Sequence, residues 1–221
     1  SGRYLRWGVP VPRAHVSGTL RLAGEEVPVV GTGYHDCNWG NLPLADAFSR
    51  WYWGRVSAED YTVIWAEMHP VGPSGEPVSA FMLAQGEHIL AETGLLRTTV
   101  QETGREPRTG TIYPRYLVVE VAGPKHSLSL RLHTARIVEA VDLPRPSCKD
   151  NLFSRLSEVI FYLSREKPVL RPLVKGLLGG ISYLRMLARY ELRIAGRGVE
   201  THHSGQMLYE MMELQDSSFP P

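Results

Sequence analysis

Two aromatic runs and one acid hold the residues best suited to chemistry: Tyr34-His35-Asp36-Cys37-Asn38-Trp39, Trp51-Tyr52-Trp53-Gly54-Arg55 and Trp65-Ala66-Glu67. Tryptophan is the side chain that best attracts a cation. A carboxylic acid in an apolar pocket can stay protonated near neutral pH. An acid set among indoles is therefore what an acid-initiated hydration or cyclisation requires, since the proton leaves a carbocation that needs electron-rich faces. In an extended chain alternate residues share a face. Tyr61, Val63, Trp65, Glu67 and His69 then form one row, and Trp51, Trp53 and Arg55 another. Glu67 is the candidate acid, Trp39, Trp53 and Trp65 line the pocket, and Asp36 and His35 hold or relay protons. Trp51, Tyr34, Cys37 and Arg55 complete the candidate substrate-binding set. This chemistry needs no cofactor. No metal is expected either, because His69, His88, His202 and His203 lack ligand spacing.

These residues must be positioned by strands, since most of the chain reads with period two. Leu184, Met186, Ala188, Tyr190, Leu192 and Ile194 alternate with charged residues, and Leu128, Leu130 and Leu132 alternate with Ser127, Ser129 and Arg131. About eleven such segments, separated by turns such as Ala23-Gly24 and Gly123-Pro124, predict an all-β antiparallel barrel or sandwich. The reading is one domain over 1–221, with an unbroken barrel from Val16 to Leu214. A single helical insertion is expected at about 150–180, where Leu152, Leu156, Val159, Ile160 and Leu163 follow helical spacing. That insertion and the apolar stretch to Ile181 would serve as a cover, a lid, or a point of peripheral membrane contact.

Composition narrows the function classes. A net charge of +1 over 221 residues leaves no field for a nucleic acid. Two distant cysteines, Cys37 and Cys148, read as unpaired thiols of a cytoplasmic protein. No run of 18 apolar residues marks a membrane span.

The candidate residues also have plainer structural readings. Trp39 can plug a barrel end, His35 can be a hydrogen-bonded core histidine, and Cys37 can be a small apolar filler. Asp36 and Arg55 can form a buried ion pair, whose disruption would cost about 3–5 kcal/mol. Glu67 would face outward if the register slipped by one residue.

The run Gly33-Tyr34-His35-Asp36-Cys37-Asn38-Trp39-Gly40, the later Trp51-x-Trp53-Gly54-Arg55, and the lead-in Trp7-Gly8-Val9-Pro10-Val11-Pro12-Arg13-Ala14 resemble the carotenoid 1,2-hydratase family, whose relatives include fungal decalin-forming Diels–Alderases. The resemblance implies a lipocalin-like barrel and an apolar isoprenoid or polyene substrate. Members commonly carry two barrels, and this run opens the second, so the chain reads as a C-terminal barrel or a short form. The family's functional His-Asn-Trp falls on Cys37-Asn38-Trp39, with cysteine at the histidine position. Its Tyr-x-Asp falls near Trp65-Ala66-Glu67. A thiol is a poor proton donor to an alkene, which leaves Glu67 as the natural acid. Three functions fit: an acid-initiated hydratase or cyclase, a pericyclase that gains rate by orienting a polyene, and a carrier that releases its ligand unchanged.

Overall fold

The protein, described here from a computed structural model, has residues 2–72, 75–92, 95–144, 180–196 and 198–214 placed. It divides into two units, Ser1–Leu44 and Ala45–Pro221. The first is a long hairpin of β1 (Leu5–Leu22) and β2 (Glu25–Gly40). Its turn falls on Ala23-Gly24, with φ of 49° and 89°, the paired positive values that match the twist of two antiparallel strands. The register runs from Leu22↔Glu25 to Leu5↔Gly40, with shifts on either side of Val11.

A one-turn helix, α1 (Leu44–Ala47), precedes the strands of the second unit. These are β3 (Phe48–Ala58), β4 (Tyr61–Pro70), β5 (Val78–Gln85), β6 (His88–Glu92), β7 (Leu96–Arg105), β8 (Ile112–Ala122), β9 (His126–Pro144), β10 (Gly180–Gly196) and β11 (Val199–Glu213). They make one antiparallel sheet in the order β6-β5-β4-β3-β11-β10-β9-β8-β7. Its two edges, β6 and β7, are consecutive in sequence, and the sheet curls into a half-barrel. Two ties across the concave face record the curl. Tyr209 of β11 donates its hydroxyl to the Pro114 carbonyl of β8 at 3.0 Å. Glu67 of β4 accepts the Thr98 N–H of β7 at 3.0 Å.

The inner face is the apolar one, as alternation requires. Leu128, Leu130 and Leu132 of β9 join Leu184, Met186, Ala188, Tyr190, Leu192 and Ile194 of β10, the rows read from sequence, in one core cluster. Val63, Trp65, Leu83, Leu117 and Tyr209 of that cluster have no water-accessible surface. Side chains therefore pack against one another at mid-height, as small barrels often do.

The all-β, lipocalin-like expectation holds. The ladder expected to run unbroken from Val16 does not: β1 and β2 pair with each other, and the nine-stranded ladder begins at Phe48. Pro43 and α1 separate the two, and proline cannot donate to a ladder. The helical insertion at about 150–180 and Cys148 lie outside the described residues. Among the described residues no helix is long and apolar enough to cross a membrane.

The β7–β8 turn contains a buried acid. Glu106 accepts the backbone N–H groups of Arg108 at 2.8 Å and Thr109 at 2.6 Å, and the Arg108 Nε at 3.2 Å. Burial pushes its carboxyl pKa up, but the hydrogen bonds from Thr109 and Arg108 outweigh burial and hold it below the usual 4.5. A carboxyl with a depressed folded-state pKa stabilises the fold above its unfolded pKa, and that stability is lost as pH falls through the lower folded value. Denaturation titrated downward from pH 5 is expected to show an acid-side loss that Glu106→Gln flattens. Parallel curves for the two proteins would show that Glu106 contributes nothing to it.

Candidate functional site

The site is built on the inner face where β3, β4 and β11 meet. On β4 the row Tyr61, Val63, Trp65, Glu67, His69 faces inward, and the pairing Tyr52↔Glu67 and Arg50↔His69 brings the inner row of β3 beside it. On the other flank of β3, Glu213 of β11 pairs with Arg50, and Met211 pairs with Tyr52. Polar groups collect at this end of the half-barrel. Arg50 and Glu213 form an ion pair at 3.0 Å, with side chains 11% and 12% exposed. Burial pushes the Tyr52 hydroxyl pKa up, opposed by the Arg50 guanidinium that hydrogen-bonds it. Glu67 and His69 meet at 3.0 Å through Oε1 and Nε2. The other carboxylate oxygen of Glu67, Oε2, accepts the Thr98 N–H. Glu67 is 6% exposed and His69 35%, so the pair runs from the core out to the rim. The His69 ring stands edge-on to Tyr52, with centroids 6.0 Å apart.

Trp65 lies two residues inward from Glu67 on the same face and is fully buried. Its indole lies over Gly54, its cross-strand partner. A Cβ at Gly54 would sit 2.6 Å from the indole Nε1, so the Trp-Gly-Arg glycine is required by the approach of the ring.

The other tryptophans of the expected pocket are elsewhere. Trp53 pairs with Ala66, and Trp51 with Met68. Trp51, Trp53 and Arg55 thus share one face, as read, but it is the outer face, opposite Trp65 and Glu67. Of the expected acid-and-indole cluster, the inner face brings together Glu67 and Trp65.

In the first unit, Asp36 accepts the indole N–H of Trp7 at 2.8 Å and the Tyr34 hydroxyl at 3.0 Å. His35, Cys37 and Trp39 alternate onto the other face of the hairpin. There the Trp39 ring lies over Gly8, and Trp39 is 46% exposed. The hairpin therefore places Asp36 and His35, the expected proton-holding residues, on opposite faces. Cys37 is a free, exposed thiol. Asp36 and Arg55 belong to different units, and their pairing stays an expectation.

Arg50, Tyr52 and Glu213 join the site from outside the candidate residues, although the sequence carries a signal for them. Tyr52 alternates with the tryptophans of its own run. Glu213 extends the inner row Met207, Tyr209, Met211 of β11, and an acid ending an apolar row calls for a partner. No group of three or more metal-ligating side chains occurs among the described residues.

The family model for carotenoid hydratase CrtC matches residues 3–112. Hydroxyneurosporene dehydrogenase of Chlorobaculum tepidum is 36% identical over 84 residues, 35% of this chain and 22% of that protein. The quinolone epoxide rearrangement protein asqO of Emericella nidulans is 34% identical over 108 residues, 47% of this chain and 29% of that one. Two solved structures share the fold at low identity. CghA superposes with a TM-score of 0.61 at 15% identity, over 98% of this chain and 55% of that chain. Kievitone hydratase of Nectria haematococca superposes with a TM-score of 0.52 at 13% identity, over 96% and 53%. The chain thus spans about half the length of these solved chains, and its matches take in less than a third of the curated relatives. By this match residues 3–112 of the chain are similar to the carotenoid hydratase family.

Proposed function

We propose that the protein binds an apolar isoprenoid or polyene and begins its hydration or cyclisation by proton transfer from the Glu67–His69 pair, without a cofactor. The observation that carries this reading is Glu67 itself: a buried acid beside Trp65 and Tyr52, hydrogen-bonded to a histidine at the rim. The family match supports it, since hydration of an alkene begins with a proton. So does asqO, because rearrangement of an epoxide can be started by acid in the same way.

Glu67→Gln tests the proposal with little disturbance, because the amide oxygen can still accept the Thr98 N–H. Turnover of a polyene is expected to fall by about 10²–10⁴-fold, the usual worth of a positioned acid or base. Ligand binding, followed by tryptophan fluorescence, should stay close to that of the parent. Full turnover in the variant would remove proton transfer from the mechanism and favour a pericyclase that only orients its substrate.

A further inference from the structure

Within the Glu67–His69 pair the two groups are not equivalent. Both oxygens of Glu67 are engaged, Oε1 with His69 Nε2 and Oε2 with the Thr98 N–H. Only 6% of the side chain reaches solvent. His69 is about a third exposed, and among the described residues no hydrogen bond engages its Nδ1. A carboxylate on one ring nitrogen sets the tautomer and turns the other nitrogen to the reacting partner. From these positions we infer that His69, through Nδ1, is the group that meets the substrate. Glu67 is its positioning partner, and the atom that receives the proton is a substrate oxygen.

The oxygen follows from acid strength. An imidazolium is a weaker acid than a carboxylic acid, so it suits a lone pair on oxygen better than an isolated C=C bond. The substrate class is therefore an oxygenated isoprenoid or polyene, such as a terminal epoxide. This rests on the proposed function and narrows it. In the step, Nδ1–H gives its proton to the epoxide oxygen. The C–O bond breaks with its electron pair going to that oxygen, and the carbon becomes cationic. Water or a neighbouring π-bond closes on the cation. The proton then lost, from the added water or from a carbon beside the final cation, returns to Nδ1. Nothing is oxidised or reduced, and water is the one co-reactant. The charged and titratable groups around His69 suit this role. Arg50 and Tyr52 flank it from β3, Glu67 lies on its own strand, and Glu213 holds Arg50 from β11. The imidazolium thus has a carboxylate at its back.

The test uses a matched pair of probes, squalene and its terminal epoxide 2,3-oxidosqualene. It compares the parent with His69→Gln, whose amide can still donate to Glu67 but cannot exchange a proton. The parent should bind the epoxide more tightly than squalene and convert it at least 100-fold faster. His69→Gln should lose both advantages, with turnover falling about as far as in Glu67→Gln. The double variant should fall no further, because the pair acts as a unit. Adding imidazole to His69→Gly should restore part of the rate, which a purely structural role would not predict. Epoxide conversion at the parental rate in His69→Gln, with Glu67→Gln inactive, would overturn this inference and leave the proposed function standing, with Glu67 as the donor. Conversion unchanged in both variants would overturn both. A parent that converts neither probe and binds them equally would also overturn the inference.

Discussion

Glu213→Ala is expected to destabilise the protein by about 3–5 kcal/mol, a large loss for a single side chain. The reason is the position of its partner. Arg50 projects into the half-barrel beside Tyr52, with its side chain 11% exposed. Removing the acid leaves a guanidinium desolvated and facing an apolar row. Attraction between the two charges is offset in the native protein by the cost of taking both out of water, so the pair as a whole contributes less than its disruption costs. Replacing both, Arg50→Met with Glu213→Leu, should therefore recover much of the loss. Urea denaturation of the two single variants and the double variant measures this directly. Single variants within about 1 kcal/mol of the parent would mean the charges are solvated.

Trp65→Ala is the second large effect, at about 3–5 kcal/mol, from lost burial and the cavity left behind. The indole has no water-accessible surface, and among the described residues its Nε1 has no hydrogen-bond partner. The loss is therefore one of packing. Gly54 makes the argument specific. Gly54→Ala alone should cost about 1–3 kcal/mol, because the added methyl meets the ring. In the Trp65→Ala background that cost should vanish, since the obstacle is gone. A double-mutant cycle reads the coupling. Strict additivity would show that the glycine is required for some reason other than the indole.

Much of the second unit was legible because a half-buried strand writes its faces in alternate residues. The inner rows of β9 and β10 were read residue by residue, and the β4 row from Tyr61 to His69 was placed on one face. Register was not legible. Whether Trp53 or Gly54 lies beside Trp65 depends on where two strands meet, and the alternation of each strand alone permits either. The outer placement of Trp51, Trp53 and Arg55 is the result. The Arg50–Glu213 contact joins residues at opposite ends of the unit, so no local pattern announces it. The hairpin was harder for another reason: β1 and β2 extend through Pro10, Pro12 and the motif itself, past the bounds that turn residues suggested. There, alternation divided a cluster that the sequence presents as contiguous, sending Asp36 to one face and His35 to the other.

The strand order has a consequence for how the protein folds. Every pairing in the nine-stranded ladder joins consecutive strands except β3 with β11. The strands β3 to β6, and β7 to β9, can each form from local contacts, which close quickly; β10 joins β9 only across the chain between Pro144 and Gly180. The most distant seam is β3 with β11, where the loop-closure entropy of the long intervening chain opposes pairing most. Arg50 and Glu213 sit at the far end of that seam. An interaction formed after the rate-limiting step slows unfolding without speeding folding. The ion pair would then act as a late fastening: its removal should shorten the lifetime of the folded state and leave the folding rate nearly unchanged.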